Sequence, residues 1–328
     1  MTKVIFFSDI QHLHKALSFF PLQGFSKKKV PVKLHMGEKN NPYFIKPPLV
    51  RFVVEALKTV HADPFLFDTT VAYPGSRSTK NNYQTLATEH GFTLENVGCD
   101  VVIDDAGAST IVEGRAFEVA THLKQATHIF TLSHVKGHIQ SGMGGAIKNF
   151  GMGGVTKESK IKIHKNSYPV YMKDACTYCG ACAEVCPFQA IVVHGKSWDY
   201  NKKKCFGCDA CVDVCASNAL QPLDADIQFL LACAAKACVQ GKTVLYLNEL
   251  KRISKGCDCD PNAGPIICPD IGYLLSSDPV AIDKASLDLI NEVKKDVFIK
   301  ANKVNPLKQI RFGEEIGLGC SSYELHQV

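Results

Sequence analysis

Residues 176–186 read CTYCGACAEVC and residues 205–215 read CFGCDACVDVC, so the spacing CxxCxxCxxxC occurs twice in one short block. Three thiolates at two-residue gaps can wrap one face of an iron–sulfur cubane, and in bacterial two-cluster ferredoxins the fourth cysteine of each run ligates the other cluster. The expected wiring is therefore crossed. Cys176, Cys179, Cys182 and Cys215 would hold one 4Fe-4S cluster, and Cys205, Cys208, Cys211 and Cys186 the second. Gly180, Ala181, Ala183, Gly207 and Ala210 are small where the backbone must fold closely round the sulfurs. Zinc is the weaker reading, because structural zinc sites use two spaced cysteine pairs rather than repeated triplets. Pro187 follows the first run and Ala216 the second, a difference that alters a turn and no ligand.

Outside this block the texture changes. Val4–Phe7, Val30–Leu34, Phe65–Phe67 and Val101–Ile103 are short, β-branched or aromatic, and followed by turn residues, as buried strands are. Between them lie helical patterns: Pro47 and Pro48 suit a helix start before LVRFVVEALKTVH, and Asn81–His90 is stopped by Gly91. Residues 119–132 repeat the unit once more. After the cysteine block, Asp226–Gln240 reads as a helix and Thr243–Leu247 as a strand, and Pro279–Lys295 is a helix with Asp278 as N-cap. Alternating strands and helices predict a parallel or mixed sheet covered on both faces. The fold expected is one α/β domain interrupted by a bacterial-type two-cluster ferredoxin insert of the α+β class: residues 1–168, then the insert at 169–222, then 223–328.

Composition narrows the function classes. The 328 residues include 46% apolar and 21% charged, which suits a globular chain, and 37 Lys+Arg against 32 Asp+Glu give a net charge of +5. Lys27–Lys29 and Lys202–Lys204 are short, separated runs, unlike the concentrated basic face of a nucleic-acid binder. Asp9 cuts the N-terminal apolar run, and no stretch reaches the ~18 apolar residues of a membrane span. The expectation is a cytoplasmic protein with no nucleic-acid or membrane partner. In that reducing setting the 15 cysteines are ligands or catalysts sooner than disulfides.

Two further stretches carry chemistry. Residues 133–154, SHVKGHIQSGMGGAIKNFGMGG, place His134 and His138 four apart, yet Gly137 disfavours a helix and a metalloprotease glutamate is missing. Neither a Walker-type loop nor GxGxxG after a strand is present. A loop over a pocket is expected, with Lys136, His138 and Lys148 able to bind an anion. Residues 256–272, GCDCDPNAGPIICPDIG, hold Cys257 and Cys259 one residue apart and Cys268 further on. Buried thiols in a polar loop is one reading; an extra metal site or a redox thiol near a cluster is the other. Cys99, Cys233, Cys238 and Cys320 read as small hydrophobes. Lys202–Lys204 beside Cys205 read as a solvated face or as a dock for an acidic redox partner. His12, His14, His61, His90 and His164 have no companion pattern and read as surface or capping residues.

Several long stretches, in one order, resemble the ferredoxin-bearing form of domain-of-unknown-function family 362: VPVKLHMGE at 30–38, FDTTVAYPGSRS at 67–78, SHVKGH with GMGGAIKNFG, both cysteine runs, and CDCDPNAGPIICPDIGYLLSSDPVAIDKA at 257–285. The resemblance covers nearly the whole chain. It implies an α/β domain split by a ferredoxin module and a cleft lined by Lys33, His35, Asp68, Arg77, Lys136, His138, Lys148 and Asn149. It leaves the substrate open and suggests a redox protein of anaerobic or facultative microbes.

Together these readings favour an iron–sulfur oxidoreductase with two 4Fe-4S clusters. A redox partner such as a ferredoxin or flavodoxin would feed electrons to a small anionic substrate in the α/β domain. His35 and His138 are the candidate proton donors, because histidine titrates nearest neutral pH; Lys33, Asp68, Arg77, Lys136, Lys148 and Asn149 would bind substrate. Two alternatives stand beside it: a non-catalytic electron carrier that docks a partner enzyme, and a metal-handling or cluster-maturation protein using Cys257, Cys259, Cys268 and the His/Lys loop.

Overall fold

The computed structural model describes residues 1–328. Consecutive apolar residues of each strand point to opposite sides, as the two-residue period of a strand requires. Val4 and Ile5, Phe65 and Leu66, Ile129 and Phe130, and Val244 and Leu245 each divide between two separate cores. One core takes the helices Ile227–Val239 and Pro279–Val293; the other takes Pro47–Thr59 through Leu49, Val50, Val53, Val54 and Leu57. The result is a three-layer α/β/α body.

The central sheet has eight strands in the order Tyr323–Gln327, Thr2–Phe7, Gly272–Ser276, Thr243–Leu250, His128–His134, Lys29–Lys33, Asp63–Asp68, Val101–Ile103. Only Gly272–Ser276 runs against the rest, which makes the sheet mixed and rich in parallel pairs. From Lys29–Lys33 the chain winds outward through Asp63–Asp68 to Val101–Ile103, then returns to place His128–His134 on the other side of Lys29–Lys33. This is a topological switch point, where the crevice beyond the carboxyl ends of the strands characteristically takes a ligand.

Residues 169–222 leave this body on a two-strand stem in which Pro169–Tyr171 pairs antiparallel with Leu220–Pro222. A second hairpin, Ile191–His194 with Ser197–Tyr200, and two single-turn helices, Ala181–Glu184 and Ala210–Asp213, complete the segment. The two cysteine runs repeat in conformation as well as in sequence. Tyr178 and Gly207, Gly180 and Asp209, and Gln189 and Asn218 occupy equivalent places, and all six have positive φ. The segment buries only Ile191, Cys211 and Leu220 as its own apolar core. So small a core supplies little stability by itself, and modules of this size usually need a staple.

Most expected elements lie where the periodicity puts them. Pro47 and Pro48 start their helix, and the Asp278 carboxylate accepts N–H from Val280 and Ala281 as a cap. Three elements differ. Residues 107–120 form an antiparallel hairpin that the sequence pattern did not suggest, and the unit expected at 119–132 is the short helix Thr121–Gln125 leading into the strand His128–His134. The His/Lys loop is a small ladder, Lys136–His138 against Gly142–Gly144. Tyr323–Gln327 adds a parallel edge strand. No helix is long and apolar enough to cross a membrane.

Candidate functional site

The carboxyl ends of the central strands deliver Lys33, Asp68 and His134 to one place, and a cavity opens there. All eight cleft residues implied by the family resemblance line it: Lys33, His35, Asp68, Arg77, Lys136, His138, Lys148 and Asn149. Cys257 and Cys259 line it too. Cys268 does not, and packs in the apolar core beside the sheet.

The glycines of 133–154 serve close packing. A Cβ on Gly145 would lie 2.3 Å from Asp283 Oδ1, the carboxylate that accepts N–H from Ala146 and Ile147 at 2.7 and 2.9 Å and so starts the helix Ala146–Gly151. That helix carries Lys148 and Asn149 into the cavity. A Cβ on Gly153 would lie 2.5 Å from Lys33 Nζ, so only glycine leaves the Lys33 ammonium its place.

Charges in the cavity are paired selectively. Lys33 Nζ bonds Asp68 Oδ1 at 2.9 Å and Asn149 Oδ1 at 2.8 Å, and burial lowers its pKa. Tyr83 donates to the other Asp68 oxygen. Arg77 Nε meets Glu38 Oε2 at 3.1 Å. Asp258 faces inward between His134 Nδ1 at 2.7 Å and Lys136 Nζ at 3.0 Å. Burial alone would raise the Asp258 pKa, but His134 and Lys136 hold its carboxyl well below the usual carboxylate range. Lys148 and Lys160 have no carboxylate partner. Lys148 Nζ reaches only Cys257 Sγ, at 4.0 Å, while Lys160 donates to Thr69 Oγ1 and Thr70 O. Burial pulls the Lys160 pKa down to about 7.

Both candidate histidines are turned alike. His35 Nδ1 accepts N–H from Gly37 at 3.0 Å, and His138 Nδ1 accepts from Gln140 and Ser141 at 3.1 and 3.2 Å. Burial and the positive side chains nearby push both pKa values well down, so each ring is neutral with its proton on Nε2. The His35 Nε2 is buried without a partner. Each ring can therefore lend an N–H to negative charge in the cavity.

The neighbouring Cys259, with Lys148 and Lys136, lowers the Cys257 pKa against the effect of burial, and that of Cys259 rises. The two Sγ atoms and one ring nitrogen of His138 lie within 4.8 Å of one another, a grouping compatible with metal binding.

Two smaller cavities lie in the 169–222 segment. One is walled by Cys176, Cys179, Cys182 and Cys215; the other by Cys186, Cys205, Cys208 and Cys211. All fifteen cysteines are free thiols. Backbone N–H groups of Tyr178, Gly207 and Ala190 donate to Cys176, Cys205 and Cys186 Sγ at 3.3, 3.4 and 3.2 Å. Phe206 lines both the second thiol cavity and the large one. Gln140 Nε2, donating to Phe206 O and Gly207 O at 3.1 Å, ties the His138 turn to this wall.

His164, expected as a surface or capping residue, instead lines the large cavity against Phe206, where burial and Lys148 lower its pKa to about 4. Lys160 and Asp258 were also unanticipated, and His134, weighed only as half of a histidine pair, is the partner of Asp258. Asp258 sits between two cysteines already singled out, and its alternation with them was the available signal; Lys160 offered none. Cys233, Cys238 and Cys99 are buried as expected, whereas Cys320 is half-buried.

Among solved structures, the lactate racemase apoprotein from Thermoanaerobacterium thermosaccharolyticum matches at 12% identity and TM-score 0.38, covering 76% of this chain and 50% of that one. A Thermotoga maritima protein matches at 11% and 0.39, covering 93% and 58%. The chain thus spans half the length of the first and little more than half of the second, and at these scores neither likeness bears on function. No curated protein matches. The model of the family described as Domain of unknown function (DUF362) matches residues 30–288, most of the chain, and the protein belongs to that family.

Proposed function

We propose that the protein is an iron–sulfur oxidoreductase. In this reading residues 169–222 form a two-cluster ferredoxin insert whose Cys176, Cys179, Cys182 and Cys215 hold one 4Fe-4S cluster and whose Cys205, Cys208, Cys211 and Cys186 hold the other. The donor set fits: four thiols wall each small cavity in the crossed grouping, and backbone N–H groups already face the sulfurs. A core of three buried apolar residues also leaves the segment in need of such a staple. Bound clusters would supply single electrons at low potential.

The observation that carries the reading is Phe206. Phe206 lines both the thiol cavity of Cys186, Cys205, Cys208 and Cys211 and the large cavity, so an electron accepted in the insert would lie next to a substrate held there. Lys148 and Lys160, lacking carboxylate partners, suit an anionic substrate, and His35 and His138 can give Nε2–H to charge that develops on it. Lys33, Asp68, Arg77, Lys136 and Asn149 shape the floor. A carrier that only docks a partner needs no such cavity. Exposed Lys202–Lys204 beside Phe188 and Phe206 suit an acidic redox donor of the ferredoxin or flavodoxin kind.

Coulometric titration of anaerobic protein tests this. About two electrons per chain are expected, one for each cluster. Uptake of none refutes the proposal, and replacing Lys202–Lys204 by glutamate should slow reduction by an acidic donor without changing the count.

A further inference from the structure

Cys257 and Cys259 open into the same cavity with Sγ atoms no more than 4.8 Å apart, and a ring nitrogen of His138 completes the trio. The trio suggests a metal, but the His138 ring is turned against it. Nδ1 accepts two backbone N–H groups, so the proton of the neutral ring is on Nε2 and neither nitrogen has a lone pair to offer. Metal-bound imidazoles show the reverse, with the second nitrogen donating. A dithiol remains. The Cys259 backbone N–H donates to Cys257 Sγ at 3.3 Å, and Lys148 Nζ, with no carboxylate partner, stands 4.0 Å from the same sulfur. Asp258 between them is held in its pair with His134 and Lys136 and so anchors the turn that presents both thiols.

We propose that Cys257 and Cys259 are a redox-active dithiol that reduces the S–S bond of an anionic disulfide held by Lys148. The proposal rests on the redox reading above for its electron source. Cys257 Sγ attacks one substrate sulfur, the substrate S–S bond breaks, and the first thiol leaves with a proton. Cys259 Sγ then attacks Cys257 Sγ, the mixed disulfide breaks, and the second thiol leaves with the other proton. The enzyme disulfide formed is reopened by two electrons and two protons, the electrons passing singly from the iron–sulfur side through the Phe206 wall. In sum, a disulfide, two electrons and two protons give two thiols. A disulfide closed over one residue is strained, and strained disulfides reduce readily. The pair thus converts a one-electron supply into a two-electron reduction.

The tryptic peptide Gly256–Lys284 contains Cys257, Cys259 and Cys268 and none of the eight cysteines of the two runs, so its thiols can be counted without interference. Iron-replete protein is equilibrated anaerobically with glutathione and glutathione disulfide at graded ratios, quenched in acid, denatured and alkylated with iodoacetamide. The peptide should pass from three alkyl groups to one, the survivor at Cys268. Cys259→Ser should form no internal disulfide and should instead pass from two alkyl groups to one plus a glutathione adduct on Cys257, while leaving iron content unchanged. Three alkyl groups at every ratio overturn the proposal, as does a metal beyond the cluster irons that Cys257→Ser removes. If oxygen-free preparations hold no iron and the transition persists, the electron source fails and the thiol chemistry stands.

Discussion

Asp258→Asn is the substitution whose effect follows most directly from the site. The Asp258 carboxylate is fully buried, with His134 Nδ1 at 2.7 Å and Lys136 Nζ at 3.0 Å. Asparagine keeps the shape and removes the charge, leaving the Lys136 ammonium buried without its counter-charge. Removing one partner of a buried ion pair costs roughly 3–5 kcal/mol. At an unfolding entropy of about 2.1 cal/mol/K per residue, a chain of 328 residues loses roughly 4–7 °C of Tm for that amount. Anaerobic thermal unfolding followed by circular dichroism at pH 7 reads it. The pH dependence has a definite sign. A carboxyl held below its unfolded value contributes stability that is present above about pH 3.9 and is lost as pH falls through the folded-state value. Native protein and variant should therefore converge below about pH 4. Adding Lys136→Met to the variant should recover part of the loss, a coupling of roughly 1–3 kcal/mol. A Tm change under about 1 °C at pH 7, or a gap that stays constant down to pH 3, refutes the assigned charge pairing.

Cys186→Ser should remove one cluster and leave about four irons per chain, because it opens the cavity walled by Cys205, Cys208 and Cys211 and not the other; loss of all iron or of none contradicts the crossed wiring. Lys160→Met should flatten a rise in stability with pH. The Lys160 pKa falls to about 7 on folding, so between there and about 10.4 the unfolded chain holds the extra proton and stability climbs by up to about 1.4 kcal/mol per pH unit. An unchanged slope in denaturant titrations across that range counts against it. Gly207→Ala combines a φ of +62° with a Cβ 2.3 Å from His164 O, so the turn that carries Cys205 and Cys208 should shift and iron occupancy of that site should fall. Full occupancy shows that the turn yields. His138→Ala should abolish substrate turnover while the visible cluster spectrum stays intact, and unchanged turnover removes His138 from the chemistry.

Local pattern explains what could be read beforehand. Val30–Leu34, apolar apart from Lys33, and Phe65–Phe67 are near-continuous apolar runs because both sheet faces are covered, and they fall on Lys29–Lys33 and Asp63–Asp68. Asp278 before Pro279 is a cap signal that needs no tertiary information. The antiparallel Gly272–Ser276 strand was hidden, since direction depends on which neighbours the chain returns to. Lys160 and His164 were hidden for a similar reason. Their helix, Lys157–Asn166, is largely polar, and only packing against Thr69 and Phe206 turns these two inward. The cysteine runs were legible because ligand spacing is itself local, whereas the pairing of Asp258 with His134 joins residues that only the fold brings together.

Iron and acid-labile sulfide in oxygen-free preparations, with Mössbauer spectra of enriched protein, test the redox account most directly. About eight irons and eight sulfides per chain in cubane form are expected. Colourless protein, or zinc in the two thiol cages, contradicts it.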